Sequence, residues 1–100
     1  MGRVVSDVLT PERLAAVREL ATRYGVKDLR VFGSYARGEA RSDSDLDLLV
    51  DMEYGTGVAM RLVDFVMAVE SLLGTKVDIV TERGLDRALH APIFREARAL

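Results

Sequence analysis

The segment Leu46–Asp51, reading LDLLVD, constrains the fold more than any other stretch of the chain. Leu48, Leu49 and Val50 are apolar at consecutive positions, so a strand there needs cover on both pleat faces. Such a strand belongs in the middle of a sheet. Yet it is headed by Asp43, Asp45 and Asp47, which places negative charge at the entrance of the most buried element.

The flanking sequence supplies the partners. Thr10 suits an N-cap, Pro11 the first helical position and Glu12 the positive helix end. Leu14, Val17, Leu20 and Ala21 then recur at helical spacing, and Gly25 follows as a stop. DLRVF, Asp28–Phe32, reads as a short strand ending at Gly33. MEYGTG is a loop. Val58–Leu73 reads as a second helix, with Leu62, Phe65, Val66, Val69 and Leu73 on one apolar stripe and Gly74 ending it. KVDIV, Lys76–Val80, is a third strand, and a last helix is expected from about Asp86, disturbed near Pro92. This order predicts an α/β fold, a small mixed sheet flanked by helices, in a single domain over residues 1–100.

Residues two apart on a strand share a face, so Asp45 and Asp47 project together with Cα atoms roughly 6–7 Å apart. At an effective dielectric near 20 such charges repel by about 2–3 kcal/mol. That is a large share of the roughly 5–15 kcal/mol that stabilises an ordinary domain. A divalent cation removes the penalty, and Mg²⁺ takes hard oxygen ligands of this kind, commonly with substrate phosphates completing the shell. Asp78, in the middle of KVDIV, completes a three-carboxylate cluster if its strand lies beside LDLLV. The competing structural reading pairs these acids with Arg30, Arg37 or Arg41. A second device, GSYARG at Gly33–Gly38, follows the first strand directly. Gly33 permits a sharp turn and close backbone approach, Ser34 offers a hydroxyl, and a short helix starting there would present free N–H groups to an anion. Arg37 adds positive charge toward phosphate.

Composition narrows the partners. A net charge of -2 argues against a broad nucleic-acid footprint. Cysteine is absent, which excludes disulfides, thiolate metal sites and a cysteine nucleophile. No apolar run approaches the roughly 20 residues of a membrane span, and MGRVVSDVLTPER lacks a secretory apolar stretch. The expectation is a cytoplasmic protein with no direct nucleic-acid or membrane contact. His90, the sole histidine, is read as a surface or packing residue, Tyr35 as structural and Tyr54 as exposed on its loop. The FREARAL stretch, with Leu89 and Ile93, forms an apolar and arginine-bearing surface that could dock a partner, with completion of the core the favoured reading.

GSYARGEARSDSDLDLLV resembles the signature of the minimal nucleotidyltransferases (MNT) of the DNA polymerase β-like superfamily. That signature is Gly-Ser, then Ala-Arg-Gly, then Ser-Asp-x-Asp entering an aliphatic strand, with a later Asp on a neighbouring strand. The resemblance implies that Gly33 and Ser34 hold nucleotide phosphates, that Asp45 and Asp47 are metal ligands, and that Asp78 is the third acid and general base. Asp43 has no required counterpart. It also implies transfer of a nucleotidyl group from a nucleoside triphosphate, commonly ATP, with two Mg²⁺ ions and release of pyrophosphate. Larger relatives carry an additional acceptor-binding domain. This chain ends soon after its last helix, so the acceptor is expected on a separate protein. Stand-alone MNT proteins are similar to antitoxins that transfer AMP to a tyrosine of a HEPN-type RNase toxin. Two further readings are open: an antitoxin that silences by binding alone, and a nucleotidyltransferase with another acceptor.

Overall fold

The computed structural model describes residues 8–41 and 43–100; the leader reading of the first seven residues lies outside them. Helix α1 spans Pro11–Arg23, with the Thr10 side chain accepting a hydrogen bond from the Arg13 N–H at 3.3 Å. Tyr24 caps its end and Gly25 turns the chain out with φ +78°. Strand β1, Val26–Phe32, starts two residues before the expected Asp28, because the chain leaves the helix cap already extended. Strand β2 is Leu46–Met52, helix α2 Val58–Leu73 and strand β3 Val77–Thr81. A single 3₁₀ turn, Glu82–Gly84, precedes helix α3, Ala91–Glu96, and strand β4, Arg98–Ala99.

The four strands form one mixed sheet in the order β3-β2-β1-β4. β1 runs antiparallel to both β2 and β4, while β2 and β3 are parallel. A parallel pair needs a crossover, and α2 supplies it. LDLLV is central, as its continuous apolar run requires. Leu46, Leu48, Val50 and Met52 point to one face, where they pack with Val17 and Ala21 of α1 and Phe65, Val69 and Leu73 of α2. Tyr24 and Phe65 meet as tilted rings with centroids 6.4 Å apart. Removing the fully buried Phe65 side chain is expected to cost about 3–5 kcal/mol.

Both long helices therefore lie on the same face of the sheet. The other face carries Asp47, Leu49 and Asp51 of β2. Leu49 is as buried as Leu48, flanked in register by Arg30 and Val80 and with the 3₁₀ turn packed against β2. Toward the start of β2 this second face is open, and the acids stand there.

Two expectations are corrected at the C-terminal end. The last helix does not begin near Asp86; the Asp86 carboxylate instead accepts from the Ala88 and Leu89 N–H groups in a turn. Pro92 sits in the first turn of α3 and starts the helix rather than disturbing it, since a proline there forgoes no intrahelical hydrogen bond. FREARAL adds to the core only through Leu100, which packs against it half-buried, while α3 has no buried residue and Leu89 is 79% exposed.

Candidate active site

The register of β2 and β3 puts Asp47 directly beside Asp78. In a parallel pair such neighbours share a face, so both carboxylates rise from the side that the long helices leave free. Asp45 lies just ahead of β2 and is held on either side. The Ser44 carbonyl accepts from the Thr75 hydroxyl at 3.3 Å, and the Leu46 N–H donates to the Lys76 carbonyl at 2.8 Å. β3 is anchored in turn by Glu70 of α2, whose carboxylate accepts from the Val77 N–H at 2.9 Å, one residue before Asp78.

The electrostatics report the convergence. The Asp47 carboxyl is pushed above the ordinary aspartate range, first by partial burial, then by the Asp78 charge, then by that of Asp45. Arg37 opposes this from a distance. Pairing with arginine does not occur. Arg30 binds Asp28 at 3.2 Å and also Glu82, while Arg37 binds Glu39 at 2.6 Å and Glu96 at 2.9 Å. Among the described residues, no ion pair reaches Asp45, Asp47 or Asp78. Asp78 is also less costly to the fold than a mid-strand acid suggests, because β3 is the sheet edge and Asp78 is exposed.

GSYARG sits over this cluster. Gly33 leaves β1 with φ +74°, and a Cβ there would overlap the Asp47 carboxylate, meeting even its Cγ at 3.1 Å. Only glycine satisfies both demands. The segment is not the start of a helix, as expected, but one hydrogen-bonded turn. Arg37 N–H donates to the Gly33 carbonyl at 3.1 Å and Glu39 N–H to that of Ser34 at 2.8 Å. The turn still presents donors. The Gly33 N–H and the Arg37 guanidinium both reach the Glu96 carboxylate, the N–H at 2.5 Å and Nη1 at 2.9 and 3.1 Å. These two contacts, Arg37 first, hold the Glu96 carboxyl below the usual glutamate range.

The donor set fits a hard divalent cation: carboxylate oxygens, no in-chain cation among them, and no soft ligand. Among the described residues no three acidic or histidine side chains enclose a metal-sized space by themselves. Mg²⁺ characteristically leaves part of its shell to water and substrate phosphates, so an open cluster suits it.

The remaining candidates fall away from the acids. Tyr35 is buried in the core, as expected. His90 precedes α3, with Nδ1 3.0 Å from the Asp86 carbonyl. Tyr54 is not exposed on its loop: Arg83 lies 4.1 Å over its ring. It also follows the far end of β2, and Asp47 and Met52 alone are separated by roughly 16 Å of strand. Glu70 and Glu96 were not singled out in the sequence, since each acts on a backbone N–H that no local motif predicts.

A profile of the nucleotidyltransferase domain matches residues 15–100. The protein adenylyltransferase MntA of Thermococcus cleftensis is 37% identical over 92 residues, spanning 92% of this chain and 88% of that protein. A solved structure assigned as a minimal nucleotidyltransferase superposes with a TM-score of 0.81 at 49% identity, covering 94% of each chain. A complex of the tri-AMPylated Shewanella oneidensis HEPN toxin with its MNT antitoxin contains a chain with a TM-score of 0.62 at 16% identity. That match covers 88% of this chain and 68% of the other, and it speaks to fold alone. The chain belongs to the nucleotidyltransferase domain family and has the polymerase β-like α/β fold of its minimal members.

Proposed function

We propose that this nucleotidyltransferase is a Mg²⁺-dependent protein adenylyltransferase, which moves AMP from ATP to a tyrosine hydroxyl of a HEPN-type RNase toxin and so acts as its antitoxin. The observation that carries the chemistry is the side-by-side register of Asp47 and Asp78, with Asp45 two residues away and no ion pair to any of the three among the described residues.

In this reading Asp45 and Asp47 hold the metal, with Asp78 beside them. Magnesium, when bound, supplies the positive charge that offsets the carboxylates and the triphosphate. The Gly33 N–H, the Ser34 hydroxyl and Arg37 bind the phosphates, directing the α-phosphorus toward the acids. The acceptor oxygen bonds to that phosphorus as the bond to the bridging oxygen of the β-phosphate breaks, and pyrophosphate departs. Asp78 takes the hydroxyl proton. Its exposure on the sheet edge leaves room for a protein side chain to approach.

Support for a protein acceptor comes from the similarity to the Thermococcus cleftensis protein adenylyltransferase, and for a HEPN partner from the fold shared with the Shewanella oneidensis complex. The test combines the chain with Mg²⁺, labelled ATP and a purified HEPN-type toxin. The expected result is AMP on a toxin tyrosine and none after that tyrosine is replaced by phenylalanine. A stable, unlabelled complex would establish the binding-only antitoxin instead.

A further inference from the structure

Glu96, whose charge reaches Asp47, is matched within the chain. Its partners are two of the three groups that the phosphate-binding reading assigns to ATP. Oε1 takes the Gly33 N–H at 2.5 Å, and both oxygens take Arg37 Nη1, at 3.1 and 2.9 Å. A backbone N–H at a glycine turn joined by a guanidinium is the ordinary way in which proteins grip a phosphate oxygen. The single Gly33 N–H cannot serve Glu96 and a triphosphate oxygen together, and a carboxylate held there by Gly33 and Arg37 repels an incoming phosphate.

The segment that brings Glu96 there is lightly held. α3 is six residues long and has no buried residue. β4 is a two-residue strand, pairing Arg98 with Val31 and Ala99 with Arg30, with the Leu100 N–H adding a bond to the Leu29 carbonyl at 3.2 Å. Segments with few buried contacts open locally at low free-energy cost. By contrast, β2, which carries Asp47, is the most buried strand of the sheet, and β1, which leads into the Gly33 turn, pairs with it from Val26 to Phe32.

We infer that Glu96 is an internal anion occupying the phosphate cradle, so that the α3–β4 segment gates the site and must release Gly33 and Arg37 before the triphosphate binds. This rests on the phosphate-binding reading above and adds its regulation. When the closed arrangement dominates, apparent nucleotide affinity falls in proportion to the open fraction. Anything that draws the segment away, including a partner protein that engages it, raises affinity without touching the acids.

The experiment measures Mg²⁺–ATP binding by calorimetry to the wild type, Glu96→Gln and Glu96→Ala, with the Gly33 amide resonance followed by NMR. Both variants are expected to bind roughly three- to tenfold more tightly. In the wild type, ATP is expected to shift the Gly33 amide, and Glu96→Ala to shift it without ATP. Equal or weaker binding by both variants, with the wild type binding normally, overturns the gate and leaves the transferase reading intact. Failure of all three proteins to bind removes the transferase reading and the gate with it. Unchanged NMR spectra elsewhere in the sheet show that the variants are folded.

Discussion

Two carboxylates on the same open face meet opposite fates. Asp47 stands beside Asp78 and Asp45, half-buried and without an ion-pair partner among the described residues, and its carboxyl is pushed up. Glu96 receives a guanidinium and a backbone N–H, and its carboxyl is pushed down. The fold thus knows how to satisfy an acid and leaves the Asp47 cluster unsatisfied. A half-buried acid crowded by two others is the arrangement that a cation from outside would relieve, and the proposed metal site rests on it. The same contrast meets at Gly33, which makes room for the Asp47 carboxylate and donates its N–H to Glu96.

The largest break in this contrast is expected from Asp47→Asn. Transfer falls by about 10²–10³-fold or more in a labelled-ATP assay, since a metal ligand is lost while shape is kept. The apo protein gains stability, because repulsion worth about 1 kcal/mol after solvent screening disappears, and thermal melting rises by about 4–8 °C at most. A loss of stability with unchanged transfer would mean that Asp47 is structural. Next in size is Gly33→Ala. The new Cβ meets the Asp47 carboxylate at a left-handed backbone position, and the expected cost is about 1–3 kcal/mol in denaturant unfolding. Pairing it with Asp47→Ala recovers part of that loss if the collision is its cause, and none if only backbone strain acts.

The smallest effect is a pair of opposed pH dependences. A raised folded value means that Asp47 contributes relative stability that is full below the ordinary aspartate range and lost as pH rises through that value. Glu96, with a lowered value, contributes stability present above the ordinary glutamate range and lost as pH falls through its folded value. In melting curves across mildly acidic pH, Asp47→Asn is expected to make stability climb more steeply with pH, and Glu96→Gln to flatten the climb. Parallel curves for the two variants would erase the contrast.

Much of the architecture was legible because burial wrote it in periodic form. α2 has the bounds that its apolar stripe and Gly74 predict, and Thr10 and Pro11 start α1 as expected. The run Leu48–Val50 announced a central strand, and of the three acids singled out in the sequence Asp47 and Asp78 are side by side in the register of β2 and β3. What stayed hidden acts across distance or without repetition. β4 has two residues and no pattern to read. Pro92 carries the same letter whether it opens a helix or interrupts one. Glu96 lies 63 positions from the Gly33 amide it binds, and nothing near it in sequence marks it apart from other surface glutamates. The same holds for Glu70, whose role in seating β3 exists only once α2 has turned back.

The most direct test of the cluster places Mn²⁺ in the Mg²⁺ role and follows paramagnetic broadening of backbone amides with a non-hydrolysable ATP analogue present. The account predicts selective loss of the Gly33, Asp45, Asp47 and Asp78 signals in the wild type, and their retention in Asp47→Asn. Broadening centred elsewhere at saturating Mn²⁺ and analogue, or none at all, would contradict it.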